Sequence, residues 1–337
     1  MDYGLRQSFL TMARRWTIGV DFGGTNIKVG CVANGVVVRT VVLATAAHPT
    51  PAAFLHGVEG AIERLCAGVR ISRAQVGGVG VGVPGLVDGA RGVIHRLVNV
   101  PGGWPKVPLR QLLEQRLRLR CAVDNDVNVV ALGEWRFGAG RGTRDSVYVT
   151  LGTGVGGGLI INGALARGAT GSAGEIGHTT IQLDGPRCAC GGRGCLEALV
   201  GTSAIIRGAT QAIRSGSRQL ADAARRHEGR LSPEAVSRAA SRGDRAALRI
   251  WRDVGCALGV AMANVINLLN PERIVIGGGV AKAWPWFAPH LRATIRAHAF
   301  EVPANACKVV KAALGDRAGI LGAALLVWEQ EQVRGAR

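Results

Sequence analysis

Residues 146–163 read SVYVTLGTGVGGGLIING, in which two strand-like apolar runs are joined by a turn rich in glycine and threonine. Residues 16–33 follow the same plan about 130 residues earlier, as WTIGV, DFGGTN and IKVGCVA. Glycines in such a turn allow backbone N–H groups to close around an anion, although Gly-Gly-Thr between strands is often only a tight turn. The two copies together predict a duplicated α/β fold with a nucleotide held between two phosphate-binding turns.

The rest of the chain alternates strand-like and helix-like segments without a linker or a low-complexity stretch. Asn34-Gly35 predicts a hairpin turn, and Ser232-Pro233-Glu234 is typical of a helix start. Further helices are predicted over 51–70, 108–119, most of 202–268 and 316–330. A buried strand that ends in a Pro-Gly loop is predicted within 75–88, and further strands over 121–124, 272–277 and 306–313. We predict a small α/β domain over residues 1–121, completed by a C-terminal helix at 316–337, and a large α/β domain over 122–315.

Composition narrows the classes of function. The net charge is +18, but no basic run alternates with stacking aromatic residues, which make up only 4% of the chain. A basic surface is suited to attracting anionic nucleotides. No apolar run reaches the ~18 residues of a membrane-spanning helix, and the first sixteen residues do not resemble a secretory signal. We therefore expect neither a nucleic acid nor a membrane as the primary partner.

The eight cysteines are too unevenly spaced for a disulfide framework, which predicts a reducing compartment. Five of them are scattered in mostly apolar surroundings and are predicted to be core thiols: Cys31, Cys66, Cys121, Cys256 and Cys307.

The other three cysteines lie in the glycine-rich loop CACGGRGC (188–195), ten residues after His178. Thiolates and imidazole are the ligands that Zn²⁺ prefers, and four of them form a closed tetrahedral site. The alternative is a loop of reduced, redox-active thiols. We predict a structural zinc on His178, Cys188, Cys190 and Cys195. It would anchor the loop that carries Glu197 and fix His178 near Glu175, and we expect both glutamates to face a polar substrate.

Asp126 lies where a predicted strand meets a predicted helix. Asp is a preferred helix cap, and a carboxylate at this point is also placed to act as a general base on a bound hydroxyl. The residues alone leave both interpretations open. Asp21, at the end of a buried strand, suits hydrated Mg²⁺. Gly277–Gly279 suit a purine or ribose, or form only a strand-to-helix turn, and plain turns also explain Pro84-Gly85 and Asn99.

Six motifs between Ile18 and Trp328 resemble the ROK family, which groups repressors, open-reading-frame proteins and sugar kinases. They are DFGGTNIK (21–28), GVPG (82–85), NDVN (125–128), LGTGVGGGLIINGALARGATGSAGEIGH (151–178), CACGGRGCLE (188–197) and NPERIVIGGGVA (270–281). The long motif together with the cysteine loop is specific for the family, whereas single glycine turns are not. Within the family the sequence is most similar to bacterial ATP-dependent glucokinases. It departs from the usual pattern at Asp124, where the family has Glu, and in NVPGGW (99–104), which is one residue longer.

The resemblance implies an actin/hexokinase-like (ribonuclease H-like) fold with two α/β domains around a cleft. It implies ATP-dependent phosphorylation of a hexose 6-hydroxyl, most simply that of glucose, with Asp126 as the catalytic base. The implied hexose-binding residues are Pro84, Gly85, Asn99, Asn125, Asp126, Glu175, His178 and Glu197. The implied ATP-binding residues are Gly23, Gly24, Thr25, Lys28, Thr153, Gly154, Gly278 and Gly279, with Asp21 serving Mg²⁺. A cytoplasmic homodimer or homotetramer in carbohydrate metabolism is also implied.

Several alternatives stay open on the same resemblance. N-acetylmannosamine kinases share the cysteine loop and the Glu-x-x-His motif. Repressors of the family carry a helix-turn-helix domain ahead of the first phosphate turn, where about fifteen residues precede the first strand here. A non-catalytic sensor is expected to have lost Asp126 or the phosphate turns. Polyphosphate-dependent glucokinases generally lack the cysteine loop, which favours ATP as the donor.

Overall fold

The computed structural model describes residues 16–98, 100–226 and 230–335, without the side chains of residues 330–335. The described residues form two compact units. Unit 1 runs up to Gly142 and also includes Gly158–Ala173 and the residues from Ala313 onward; unit 2 consists of Thr143–Gly157 and Gly174–Ala312. The domain boundary near residue 121 stays a prediction.

The first five-stranded sheet, sheet 1, is built from the β-branched and aliphatic runs near the start of the chain. Its strands are β1 (Trp16–Phe22), β2 (Asn26–Ala33), β3 (Val36–Ala44), β4 (Val76–Val83) and β7 (Cys121–Asn125). Their order is β3-β2-β1-β4-β7, with β2 antiparallel to both β1 and β3 and with β1, β4 and β7 parallel. Asn34 and Gly35 have φ angles of 52° and 73° and form the predicted turn between β2 and β3.

The second five-stranded sheet, sheet 2, repeats this plan. Its strands are β8 (Ser146–Leu151), β9 (Val155–Ile161), β10 (Ala164–Ala166), β11 (Arg273–Gly277) and β12 (Lys308–Lys311). Their order is β10-β9-β8-β11-β12, with β9 and β10 antiparallel and with β8, β11 and β12 parallel. In both sheets the first strand along the chain lies between a hairpin strand and a later parallel strand. The duplicated plan predicted from the two glycine turns is therefore confirmed.

The buried strand predicted within 75–88 ends at the Pro-Gly loop, as expected, but the residues from Gly85 onward form a second strand that was not predicted. β4 ends at Val83, and Gly85 begins a separate strand, β5 (Gly85–Asp88), which pairs with β6 (Val93–Leu97) in a two-stranded antiparallel sheet. Pro84 has no N–H to donate to a strand ladder, and Gly85 has a φ of 111°, which other residues rarely adopt. The Pro-Gly pair therefore redirects the chain into a new strand.

Most helices lie in the predicted segments, but those over Leu196–Val200, Trp284–His298 and Glu301–Ala306 were not predicted. The helices are α1 (Pro51–Val69), α2 (Leu109–Leu117), α3 (Asp126–Phe137), α4 (Leu196–Val200), α5 (Thr202–Arg214), α6 (Arg218–Arg225), α7 (Pro233–Ala240), α8 (Arg245–Leu269), α9 (Trp284–His298), α10 (Glu301–Ala306) and α11 (Arg317–Gly335). Ser232 caps α7, because its Oγ accepts a hydrogen bond from the N–H of Ala235 at 3.2 Å. The start signal read from Ser232-Pro233-Glu234 is thereby confirmed.

α11 packs against β1, β4 and α3 inside unit 1. A methyl group at Gly80 would overlap the carbonyl of Ala323, and one at Gly322 would overlap the carbonyl of Val129. These two glycines therefore permit the close approach of the helix to the sheet and to α3.

α8 is long and apolar enough to meet the length and hydropathy criteria of a membrane span, with a mean hydropathy of 1.2. Its apolar window is 44% buried inside the protein. In unit 2 the helix packs against α9 and also contacts α4, α5 and α7, and its residues Trp251 and Leu258 are fully buried. These contacts are those of a core helix.

Four of the five scattered cysteines are buried, as predicted, and Cys256 is half-buried. Burial raises the pKa of Cys31 to about 11, that of Cys121 to about 12 and that of Cys307 to about 11. Because the thiolate is the reactive form, these thiols are expected to be inert at neutral pH.

Candidate active site

The carboxyl ends of the parallel strands in sheet 1 bring several predicted site residues to one edge. Asp21 pairs in register with Gly82, and Gly82 pairs with Asp124. The chain therefore leaves β1, β4 and β7 at the same level, through the Gly23–Thr25 turn, Pro84 and Asn125. This edge is where open α/β sheets bind ligands.

The first glycine turn follows β1 and presents Gly24 and Thr25 to solvent. It is closed by the N–H of Gly23, which donates to the carbonyl of Asn26 at 2.9 Å. The buried Thr45 holds it from below, because its Oγ1 donates to the carbonyl of Gly23 at 2.8 Å and its N–H donates to the carbonyl of Thr25 at 3.0 Å. The turn is thus fixed by internal hydrogen bonds while its tip stays accessible to an anion.

Asp21 lies beneath this turn, half-buried against Gly319 of α11. Burial raises the pKa of this carboxyl and the charge of Asp316 adds to the effect, whereas Lys28 opposes it. Lys28 in turn forms an ion pair with Asp316, with 3.0 Å between Nζ and Oδ1. A carboxylate whose charge is disfavoured by burial fits a divalent cation, which would restore the charged form.

The helix cap of α3 decides how Asp126 can be interpreted. The cap is Asn125, whose Oδ1 accepts hydrogen bonds from the N–H of Val127 at 2.8 Å and the N–H of Asn128 at 3.3 Å. Asp126 is the first residue of the helix and is half-buried, and its Oδ1 accepts from the N–H of Val127 at 3.0 Å. The cap of α3 is therefore Asn125, and the role of Asp126 as a general base stays a prediction.

The side chain of Asn125 also ties α3 to the Pro-Gly loop. Its Nδ2 donates to the carbonyl of Gly85 at 3.0 Å. Both polar ends of this carboxamide thus have partners within unit 1, and its role as a sugar ligand stays a prediction. Asn99, the remaining predicted sugar ligand of this half of the chain, lies outside the described residues.

The second glycine turn follows β8 in unit 2 and exposes Thr153 and Gly154. The N–H of Gly152 donates to the carbonyl of Gly154 at 2.9 Å. Thr202 holds the turn, because its Oγ1 and its N–H both donate to the carbonyl of Gly152, at 2.8 and 2.9 Å. This arrangement closely repeats the one that Thr45 provides in unit 1.

The loop after β11 lies beside the second turn. Gly277 pairs in register with Thr150, and a methyl group at Gly278 would overlap the backbone of Leu151. Gly278 has a φ of 85°, and both Gly278 and Gly279 are exposed. The structure thus brings the predicted ATP-binding residues of unit 2 to one edge of sheet 2.

The predicted zinc ligands form a compact cluster in unit 2. The ligand atoms of His178, Cys188, Cys190 and Cys195 all lie within 4.8 Å of one another. The Sγ atoms of Cys190 and Cys195 are 3.7 Å apart, and the Sγ of Cys188 is 3.8 Å from Nδ1 of His178. Ligands at the usual ~2.3 Å zinc–sulfur distance of a tetrahedral site are separated by about 3.8 Å. The donor set and its spacing therefore fit zinc.

The cysteine cluster touches the predicted sugar-binding residues of unit 2. While Nδ1 of His178 faces Cys188, its Nε2 lies 4.0 Å from a carboxylate oxygen of Glu175. Glu197 accepts a hydrogen bond from the N–H of Val155 at 3.0 Å, and its other oxygen lies 3.8 Å from the Sγ of Cys188. Glu197 thus connects the second glycine turn to the cysteine cluster.

The thiols of the cluster differ in acidity. Burial raises the pKa of Cys195 to about 12, and hydrogen bonds with the other two cysteines add to the effect. The N–H of Gly192 lowers the pKa of the exposed Cys190. A metal must displace the proton of a thiol that it binds, so metal affinity at this cluster is expected to fall as the pH is lowered.

Two residues that fasten the site were not identified from the sequence. Thr45 directly follows β3, and Thr202 is the first residue of α5. Threonines are common at such positions without any role in a functional site. Each threonine lies later in the sequence than the glycine turn that it holds. This order alone does not distinguish Thr45 and Thr202 from other threonines.

Comparison with known proteins identifies relatives that align with most of this chain. The chain is 38% identical to the glucokinase of Halalkalibacterium halodurans over 323 residues, which cover 95% of this chain and 97% of that one. A ROK family glucokinase from Streptomyces griseus, solved in complex with glucose and AMPPNP, is 34% identical to this chain, with a TM-score of 0.79. The match covers 92% of this chain and 98% of that one. The xylose repressor of Caldicellulosiruptor bescii is 33% identical over 250 residues, 74% of this chain and 62% of the repressor.

These similarities, together with the two sheets of repeated strand order, confirm the predicted actin/hexokinase-like fold class. The family model described as ROK family matches residues 17–330, which is nearly the whole chain. The chain therefore belongs to the ROK family.

Proposed function

We propose that this protein is an ATP-dependent glucokinase, which transfers the γ-phosphoryl group of ATP to the 6-hydroxyl of glucose. The observation that carries the proposal is the position of Asp126, a half-buried carboxylate at the carboxyl edge of sheet 1, directly after the Asn125 that caps α3. Similarity to the Halalkalibacterium halodurans glucokinase over 95% of the chain supports it.

In this proposal Asp126 acts as the general base. Its carboxylate takes the proton of the 6-hydroxyl as the sugar oxygen forms a bond to the γ-phosphorus. The bond between that phosphorus and the β,γ-bridging oxygen breaks, and ADP leaves with the electron pair. The products are glucose 6-phosphate and ADP, and Asp126 returns its proton to water.

The two glycine turns hold the ATP phosphates through backbone N–H groups. The exposed Gly24 and Thr25 serve in unit 1, and Thr153 and Gly154 in unit 2. Asp21 holds hydrated Mg²⁺, which supplies charge neutralisation on the phosphates when bound. Three other residues complete the proposed ATP-binding set: Lys28, Gly278 and Gly279.

Hydroxyl groups of the sugar are held by carboxylates and imidazole of unit 2, namely Glu175, His178 and Glu197. Carboxylates accept hydrogen bonds from hydroxyls and make a binding site selective for polar rings. From unit 1 the proposed sugar ligands are Asn99, Asn125 and the Pro84-Gly85 loop.

We assign a structural zinc to His178, Cys188, Cys190 and Cys195. These four residues would fill a tetrahedral coordination shell, so the ion would have a structural role. With its Nδ1 bound to the metal, His178 would keep Nε2 directed at Glu175, 4.0 Å from a carboxylate oxygen of that residue. Zinc thiolates persist in a reducing compartment, which favours the cytoplasm, and a homodimer or homotetramer is expected from the family resemblance.

The proposal is tested by a coupled assay of ADP release with Mg-ATP and a panel of sugars: glucose, N-acetylmannosamine, mannose, fructose, allose and N-acetylglucosamine. We expect glucose to give the highest kcat/KM. A clear preference for N-acetylmannosamine would replace the proposed substrate but keep the kinase. If folded, zinc-containing protein releases no ADP with any of these sugars, the proposed activity is overturned for these sugars and ATP. Replacing ATP by polyphosphate would then test whether the protein uses another phosphoryl donor.

A further inference from the structure

An ion triad of the half-buried Arg167 and Glu329 with the buried Asp124 contacts the segment that carries Asp126. Nε of Arg167 donates to Oδ2 of Asp124 at 2.7 Å. The other two guanidinium nitrogens of Arg167 donate to the two carboxylate oxygens of Glu329 on α11, at 3.2 and 2.6 Å. Asp124 is 1% exposed, and the ion pair with Arg167 offsets part of the cost of burying its carboxylate.

Asp124 also accepts hydrogen bonds from two residues close to the proposed base. Its Oδ1 accepts hydrogen bonds from the N–H of Asn125 at 2.7 Å and from Nδ2 of Asn128 at 2.8 Å. Asn125 is the cap of α3 and Asn128 lies in its first turn. The two oxygens of one carboxylate therefore join Arg167 on one side to both ends of the Asn125–Asn128 turn on the other, with Asp126 inside it.

The chemistry of the triad fits a positioning role. Burial alone would lower the pKa of Arg167, but Asp124 and Glu329 outweigh it and raise the pKa above its ordinary value, so the guanidinium stays charged. The fork of guanidinium donors allows one side chain to hold two carboxylates at fixed angles, which a lysine cannot do. Asp124 is also the position at which this chain departs from the Glu of the family pattern.

We propose that Arg167 is a positioning residue for the reaction, which holds Asp124 and through it the cap of α3 so that the carboxylate of Asp126 is aimed at the sugar hydroxyl. The inference rests on the proposed function, in which Asp126 is the base. Arg167 itself touches neither substrate nor the reacting atoms in this account. Its effect is expected in kcat, because misplacement of a catalytic group by about 1 Å can lower turnover by up to about 100-fold.

The test compares Arg167→Gln with a matched control, Arg116→Gln. Arg116 also holds a carboxylate in unit 1, with Nε at 2.7 Å from Oε2 of Glu59, but this pair is more exposed and has no connection to the turn that carries Asp126. We expect Arg167→Gln to lower kcat with glucose by about 10-fold or more per folded molecule, with KM for glucose and ATP little changed. Arg116→Gln is expected to keep the wild-type kcat.

Two further measurements distinguish poor folding of a variant from misplacement of the Asp126 carboxylate. The folded fraction of each preparation is taken from its thermal unfolding curve, and kcat is expressed per folded molecule. Arg167→Lys supplies a conservative variant, which keeps the charge but cannot span Asp124 and Glu329. We expect it to fold and to recover only part of the lost kcat.

The background of Asp126→Asn separates failure of this inference from failure of the proposed function. If Arg167 acts through Asp126, Arg167→Gln lowers kcat in the wild-type background and has little further effect beside Asp126→Asn. Equal fold-losses in both backgrounds, or an unchanged kcat per folded molecule for Arg167→Gln, would overturn the positioning role. Near-normal kcat for Asp126→Asn alone would instead remove the proposed base, whatever Arg167→Gln does.

Discussion

The carboxyl edges of sheet 1 and sheet 2 are built alike but carry different chemistry. Each begins with a glycine turn that a threonine holds at 2.8 Å, Thr45 on Gly23 in unit 1 and Thr202 on Gly152 in unit 2. The first edge also carries the carboxylates of Asp21, at the end of β1, and Asp126, which follows β7. Beside the second turn, Glu197 connects to a cluster of soft metal ligands.

This difference indicates how the two halves of a duplicated fold can have different roles in one reaction. The shared backbone device explains why both turns suit phosphate groups. From the residues that differ, we infer that the sheet 1 edge governs proton transfer and Mg²⁺ binding. The sheet 2 edge, with its zinc cluster, is inferred to govern binding of the sugar. Changes at the first edge are then expected mainly in kcat, and changes at the second mainly in KM.

The largest effect is expected for Asp126→Asn at the sheet 1 edge. Because an amide cannot accept the hydroxyl proton, kcat should fall by about 100-fold or more while glucose binding is retained. Steady-state kinetics and calorimetric glucose binding measure the two parts. Asp253→Asn, at an exposed residue of α8, is the control for the loss of a carboxylate. Turnover near the wild-type value would assign the base to another group.

Asp21→Asn is expected to have the next largest effect and opposite consequences for activity and stability. Loss of the carboxylate that is proposed to hold hydrated Mg²⁺ should lower kcat by about 10-fold or more. Burial raises the pKa of Asp21, so its carboxyl favours the folded state below its ordinary pKa of 3.8, and this contribution is lost as the pH rises through the raised value.

The melting temperature of ligand-free Asp21→Asn should therefore exceed that of the wild type at neutral pH, and the difference should shrink towards pH 4. Thermal unfolding at several pH values without Mg²⁺ or nucleotide measures it. A melting temperature below that of the wild type at neutral pH would contradict the burial argument.

At the sheet 2 edge, Cys190→Ser should release zinc and weaken sugar binding. The protein should lose its zinc by elemental analysis, and KM for glucose should rise more than kcat falls, because Glu197 and His178 lose their anchor. In the wild type, zinc should also be lost on acidification, since protons compete for thiols such as Cys195, whose pKa is about 12. Full zinc content in Cys190→Ser would contradict the assigned ligand set. Cys256→Ser, outside the cluster, is the control.

The smallest effects are expected from the matched pair Thr45→Val and Thr202→Val. Each removes one hydroxyl hydrogen bond of 2.8 Å to a turn carbonyl, worth about 1 kcal/mol, or about 5-fold in KM for ATP. Thr45→Val should also lower kcat, because its turn lies next to Asp21, whereas Thr202→Val should leave kcat unchanged. Identical kinetic changes in both variants would remove the functional distinction between the two edges.

The repeated strand plan was predictable because it depends on local patterns. Asn34-Gly35 and the two glycine turns each encode a strand reversal within a few residues. Pro84-Gly85 carried an equally local signal, but a turn within a strand run and a break into a new strand look alike until the partner strand, β6, is known.

The fastening of the site was less predictable, because it depends on contacts between distant residues. Asn125 and Asp126 are both good helix caps, and only the backbone geometry assigns the cap to Asn125. Arg167 is one of many arginines in a chain with 41 basic residues, and its partner Glu329 is 162 positions away. No local pattern singles out such a triad.

The most direct test of the account follows the label from [γ-³²P]ATP into sugar. With Mg²⁺ and wild-type protein we expect labelled glucose 6-phosphate from glucose and no labelled product from 6-deoxyglucose, which lacks the accepting hydroxyl. Labelled phosphate on 6-deoxyglucose, or none on glucose, would contradict the proposal that this chain phosphorylates the 6-hydroxyl of glucose.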